Sequence, residues 1–463
     1  MNSTAEQLRF ASIPGCTIRA DFAGGGLSSD LGPLLLQGVD RQINLTERLC
    51  LAVRETRHAG YIRHTLHDLL KQRIYQIASG YEDGNDCNAL RHDPVFRLGV
   101  GRRPFDADGA DGALASGSTI SRFEHAVNAR DIYRISEALV EQFIAGYATP
   151  PQALVLDIDH SEDAAYGQQP LAFYNHHYQS TCYLPLMIFE GLSGALVAAV
   201  LRPGKRPTGA ENAMILRRVL MRIRAHFPHT QILVRGDGHF STPELMALIE
   251  AMPHTDFIFG LAGNAVIHRL AEPAMQRACK LWADAQTQDS VPDSVQIYDE
   301  FTYAAGSWSK SWRVVQKAEI MALGENPRFV VTSLQAPTPQ RVYEELYCAR
   351  GQAENLIKHL KSDLASERTS CTTFLANFMR LLEHAAAYVL HQQLRTQALR
   401  HTAMANSQPS TVISKLFKIA VQVRQLKSRV ILHLPSSCAV RQLLQTVTER
   451  LLVTRSAKPL YSP

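Results

Sequence analysis

A chain of 463 residues, 46% hydrophobic and 20% charged, can bury a sizeable core and is expected to divide into two to four units. It contains no apolar run of the roughly 18 residues a membrane span needs, and its first residues lack the basic and apolar regions of a secretory leader, so a cytoplasmic globular protein with no membrane partner is predicted. Net charge is only +5, but from residue 341 onward 17 Lys and Arg face 7 Asp and Glu, a basic third suited to holding a polyanion.

The eight cysteines are far apart, with no Cys-x-x-Cys and no His pair at zinc spacing, and are read as reduced thiols. Residues 1–130 mix short helical and irregular stretches and are read as a helical accessory domain, either a structural lobe or one whose Ser, Thr and Arg contact phosphates. Its clearest helix is predicted from about Gly60 to Ala78, where Leu66, Leu69, Leu70, Ile74 and Ile77 recur at helical spacing. A Gly- and Ala-rich loop is read from Asp106 to Gly117. Ser121-Arg122-Phe123-Glu124 has capping-box spacing, so a second helix is predicted to begin there. The Gly24–Gly26 run and the Gly99-Val100-Gly101 pair do not follow strands in the manner of a phosphate-binding loop and are read as turns.

From about residue 131 the pattern changes. An amphipathic helix is predicted over Ile132 to Tyr147, then a strand over Ala153 to Asp159 that carries Asp157 and Asp159 on one face. Strands from Cys182 to Glu190 and from Gly194 to Leu201 form a hairpin pattern. A helix over 211–225, a strand over 231–237 ending in Asp237, a helix over 242–251 and a strand over 256–260 complete the order βββαβαβ. That order is the one found in ribonuclease H-like α/β mixed sheets, and a domain of that class is read over 131–400. A β-rich insertion at 265–338 includes strands over 295–303, 312–321 and 328–333. Asn175-His176-His177 is read as a loop contact rather than a metal site, because adjacent strand residues point to opposite faces.

A helix follows from Leu346 to Lys361. At about 100° per residue Tyr347, Arg350, Glu354, Lys358 and Lys361 share one stripe, beside an apolar stripe of Ala349, Ala353, Leu356, Ile357, Leu360 and Leu364. As a plain surface helix, its Glu354 pairs would be worth only tenths of a kcal/mol. A long apolar helix over 375–394 comes next, and residues 401–463 form a basic C-terminal region.

The spacing of Tyr347, Arg350, Glu354 and Lys361 resembles the signature of bacterial insertion-sequence DDE transposases of the Tyr-Arg-Glu-Lys branch, with the likeness spanning about 153–361. The resemblance implies that Asp159, Asp237 and Glu354 are catalytic and hold two Mg²⁺ or Mn²⁺ ions, with Asp157 as the alternative first acid. Members usually place a small residue and then Ser or Thr after the first Asp; here His160 precedes Ser161. The resemblance further implies that Tyr347, Arg350, Lys358 and Lys361 contact DNA, with Trp308 and Trp312 offering a stacking surface for an extruded base. The expected partners are double-stranded transposon ends with terminal inverted repeats, target DNA, and a second copy in a homodimeric synaptic complex. The expected activity is metal-dependent cleavage and strand transfer; the alternatives are a nuclease or resolvase of the same fold, or a DNA-binding protein that has lost the chemistry.

Overall fold

In a computed structural model, residues 7–105, 112–286 and 292–452 are described. They fall into two units, one built from the segments up to Ala126 and from Gln393 onward, the other from Val127–Gln392. Positions 106–111 of the Gly- and Ala-rich loop and the tail from residue 453 lie outside the described residues.

The first unit is mainly helical. Its best-defined helix is Leu66–Ala78, shorter at its start than periodicity predicts, because Thr65 and Asp68 form a reciprocal capping box there. The segment before it makes only a short turn at Ala59–Tyr61. The helix predicted from Ser121 begins at Gly117 instead, where the Ser116 carbonyl accepts the first amides and Asn88 accepts the Gly117 amide at 3.0 Å. Strand Val421–Gln425 pairs with Val430–His433 on one side and with Leu27–Ser28 on the other, so the two ends of the chain share one small sheet.

The second unit opens with α1 (Ala129–Ile144), which starts earlier than predicted because Asn128 and Asp131 cap it. Then come β1 (Ala153–His160), β2 (Leu186–Glu190), β3 (Ala195–Val200), α2 (Gly209–His226), β4 (Gln231–Gly236), α3 (Pro243–Glu250) and β5 (Thr255–Leu261). After these follow α4 (Ala265–Ala285), β6 (Ser294–Tyr303), β7 (Trp312–Met321), β8 (Arg328–Thr332), α5 (Gly351–Lys358) and α6 (Phe374–Gln393). One large mixed sheet runs in the order β6-β7-β8-β5-β4-β1-β2-β3, with the short Gly324–Glu325 segment paired to β7. The pairs β1–β4 and β4–β5 are parallel and the others antiparallel.

One expectation fails here and one is incomplete. The stretch predicted as one strand over 182–190 is two, because Pro185 has no amide to donate to a ladder. Ser180–Tyr183 instead joins a small sheet with Asp163–Ala164 and Phe173–Asn175, and only Leu186–Glu190 enters the large one. The predicted β-rich insertion has its three strands where they were read, extending the main sheet through β8, but it opens with a 21-residue helix, α4, capped by Asn264.

Alternation of side chains along β1 determines where chemistry can occur. Leu154, Leu156 and Ile158 enter the core formed with α1, α2 and α3, so Asp157 and Asp159 lie on the opposite face. That face carries a second cluster of Ile258, Val315, Val330, Val342 and Tyr343, against which Leu346 and Tyr347 pack. The helical run bearing those last residues is not one regular helix. Wide turns over Arg341–Tyr347 give way to a tight turn at Cys348–Arg350, a regular α5, and wide turns again over His359–Asp363. The single-period wheel therefore holds only across α5. Ala353, Leu356, Ile357, Leu360 and Leu364 are buried as the pattern predicts, while Ala349 is exposed.

Candidate active site

Asp157 and Asp159 are two residues apart on one strand face, and their surroundings separate them. Asp157 is 1% exposed and receives both arms of the Arg235 guanidinium, at 2.6 and 2.8 Å. The third nitrogen of Arg235 donates to the Leu346 carbonyl at 2.6 Å, tying β4 to the start of the helical run. Gly191 leaves room for this pair: a Cβ there would lie 2.5 Å from Asp157 Oδ2 and 2.6 Å from Arg235 Nη2. Asp157 is thus committed to a buried ion pair.

Asp159 keeps a path to solvent. Its Oδ2 accepts from Arg350 Nη1 at 3.0 Å, and Arg350 Nη2 stands 3.6 Å from Glu354 Oε1 one turn later. Burial pushes the Asp159 carboxyl up to about 6; Arg350 opposes the rise and the Asp237 charge adds to it. Asp237 follows β4 directly and caps the short turn Gly238–Phe240, accepting from the His239 amide at 3.0 Å. Its other oxygen lies 3.1 Å from His239 Nδ1.

The remaining stripe residues divide. Tyr347 reaches the sheet, its hydroxyl 2.8 Å from where a Cβ on Gly260 would stand, so that glycine keeps the approach open. Burial raises its phenol, with the Asp237 charge adding to the effect and Arg350 opposing it. Lys361 donates to the Glu162 carbonyl and stands 3.6 Å from Glu367, while Lys358 is exposed. Glu354 is 68% exposed and points at Arg350 rather than at the two aspartates. Among the described residues no three acidic, His or Cys side chains converge closely enough to hold an ion.

The tryptophan expectation needs correction. Trp312 is 8% exposed in the core, in a T-shaped contact with Phe257 at 5.1 Å and with the Lys310 ammonium 4.0 Å over its ring, so it is too buried to offer a stacking surface to a base. Trp308 is half-buried against Tyr303. His176 and His177 leave the strand for a turn, where the His177 ring comes within 6.4 Å of His239.

Sequence reasoning passed over several groups beside the acids. His160 stacks on Phe240 and its Nε2 lies 3.2 Å from Asn212. Burial raises the Tyr178 phenol, and the charges of Asp159, Glu162 and Asp237 add to the rise. His160 is the last residue of β1 and adjoins Asp159 in sequence, but its stack on Phe240 is a tertiary contact that local spacing does not announce, and Tyr178 comes from a turn between strands.

A solved piggyBac transposase synaptic complex with hairpin DNA is similar in structure at a TM-score of 0.38 and 13% identity, over 90% of this chain and 84% of that one. No curated protein matches the sequence significantly. A profile of the family described as Transposase DDE domain group 1 matches residues 10–456, nearly the full length of the chain, which therefore belongs to the DDE transposases, enzymes of DNA transposition.

Proposed function

We propose that this DDE transposase serves an insertion sequence of the Tyr-Arg-Glu-Lys branch, and that Asp159, Asp237 and Glu354 are its three acids. The observation that carries the reading is the position of Arg350, which spans Asp159 and Glu354 at 3.0 and 3.6 Å although nearly two hundred residues separate the acids in sequence. A ribonuclease H-like core is supported by the order β3-β2-β1-β4-β5, antiparallel over the first three strands and parallel over the last three. In that frame Asp159 and Asp237 lie at corresponding ends of parallel neighbours.

The donor set suits a hard dication. The Asp237 charge adds to the rise that burial gives the Asp159 carboxyl, and the donors of both residues are all oxygen. Two Mg²⁺ or Mn²⁺ ions, when bound, would activate the attacking hydroxyl or water and stabilise the leaving oxygen of a phosphodiester. Glu354 joins the aspartates by turning its exposed side chain away from Arg350. That turn frees Arg350 Nη2 while Nη1 keeps Asp159, and the planar fork suits a phosphate. Tyr347 lines the same face. Lys358 is free to meet the backbone, and Lys361 reaches it only by leaving Glu162. Trp308 remains a candidate stacking surface. Asp157 holds Arg235 and takes no chemical part.

The substrates on this reading are the double-stranded ends of the element and a target duplex, and joining two ends makes a homodimer the simplest assembly. The N-terminal segment to residue 130 and the basic region from 401 would hold flanking DNA. The test is a supercoiled plasmid carrying both element ends. Asp237→Asn and Glu354→Gln should each abolish nicking and joining while end binding persists; nicking by either variant in Mg²⁺ removes that residue from the site.

A further inference from the structure

The parallel ladder between β1 and β4 ends with Arg235 opposite Asp157, two positions before Asp159 and Asp237. No registered backbone pair sets the separation of those two carboxylates. Beyond the ladder the connection passes through side chains. His160, next to Asp159, stacks face to face on Phe240, three residues after Asp237, with ring centroids 4.8 Å apart and planes only 3° from parallel.

Both sides of this stack are supported. Phe240 is fully buried and lies 6.4 Å from the Phe259 ring of β5. It folds back over Gly236, where a Cβ would come within 2.7 Å of the Phe240 ring and 3.1 Å of Ile158, so only glycine permits the return. On the other side His160 Nε2 meets Asn212 Oδ1 of α2 at 3.2 Å, and Asn212 is itself buried. Elements β1, β4, β5 and α2 therefore meet at one ring pair, beside both acids.

We infer that His160 is a positioning residue: its stack on Phe240 fixes the separation of Asp159 and Asp237, and with it the affinity of the site for a divalent cation. The inference rests on the reading that these two aspartates hold the cation. Removing the His160 ring takes away the side-chain link between the residue after Asp159 and the turn that Asp237 caps. A displacement of about 1 Å in such a site costs on the order of a hundredfold in rate.

The test compares full-length His160→Ala, which removes the ring, with His160→Phe, which keeps the stack and loses only the Asn212 hydrogen bond. Asp237→Asn serves as the control. Mn²⁺ binding is measured by calorimetry, nicking of a plasmid carrying element ends is measured against Mg²⁺ concentration, and thermal melts report folding. His160→Ala should weaken Mn²⁺ binding and raise the Mg²⁺ requirement at least tenfold, whereas His160→Phe should stay within about threefold of the parent. A purely structural ring would lower the melting temperature and leave the cation dependence unmoved, and that result overturns the inference. If His160→Ala does not fold, a His160→Phe variant with a tenfold poorer cation affinity overturns it, and one with parental affinity upholds it. Should Asp237→Asn bind Mn²⁺ as the parent does, the assignment of the acids fails and takes this inference with it. Loss of binding in Asp237→Asn beside unchanged His160→Ala defeats the inference alone.

Discussion

Arg350 Nη1 lies 3.0 Å from Asp159 Oδ2, and the same guanidinium faces Glu354. One cation therefore sits between two carboxylates that the proposed chemistry needs around a metal. Arg350 also opposes the effect of burial on Asp159. Arg350→Lys replaces a planar fork with a point charge. It should lower cleavage at least tenfold, about 1.4 kcal/mol in barrier, with an unchanged melting temperature. Full activity in a plasmid nicking assay would reduce the contact to an ordinary surface ion pair.

The Asp159 carboxyl, raised to about 6, gives cleavage a pH dependence of defined sign. A raised pKa keeps the proton on to higher pH, and the proton competes with the dication. Nicking at limiting Mg²⁺ should rise through about pH 6 and then level off, and saturating Mg²⁺ should move the midpoint downward. A midpoint independent of Mg²⁺ would separate the titration from cation binding.

Asp157 and Asp159 should separate cleanly on mutation. Asp157→Asn breaks a buried pair and leaves Arg235 without its counter-charge, a change typically worth about 3–5 kcal/mol, so its main effect should be on stability. Asp159→Asn should melt close to the parent and be inactive. Thermal melts and plasmid nicking of the two proteins decide the matter, and a stable but inactive Asp157→Asn would exchange their roles.

Asp163 offers a test of stability alone. It is fully buried, neither carboxylate oxygen has a hydrogen-bond partner, and burial pushes it up to about 8 despite Lys361 nearby. Its folded value lies above the unfolded one of about 4, so its favourable contribution is complete below about pH 4 and is lost as pH rises to about 8. Asp163→Asn should match the parent near pH 4 and exceed it by several degrees at about pH 8, where about 1 kcal/mol already shifts a domain of this size by roughly 2–4 °C. Equal melting temperatures at the higher pH would mean the ionised carboxylate is compensated.

Arg424, Lys427 and Arg429 are exposed around the Val421–Gln425 strand. If they contact phosphates, changing each to Gln should reduce the slope of log K against log salt for end binding by about one unit per residue. An unaltered slope for the triple variant would place the DNA elsewhere.

Much of this fold was legible in the chain because its information is local. Apolar runs and alternation marked β1, β4 and β5 to within a residue or two, and the neighbouring helices α1, α2 and α3 were read from the segments between them. Where the expectations slipped, a specific local feature was underweighted. Thr65 and Asn128 capped helices away from their apolar periods, Pro185 cut a strand in two, and α4 was hidden in a stretch read for its strands.

By itself the sequence determined the period of each element, the presence of acids at two strand ends, the signature spacing of Tyr347, Arg350, Glu354 and Lys361, and the basic character of the last third. Only the tertiary structure decided between Asp157 and Asp159 as a buried partner for Arg235, because residues two apart on a strand share a face and a sequence period cannot tell them apart. It also sent the Trp312 ring into the core, varied the helical pitch around Arg350, and paired Leu27–Ser28 with a strand nearly 400 residues later. These outcomes depend on contacts between residues far apart in the chain, whose energies come from burial and close packing that no local pattern records.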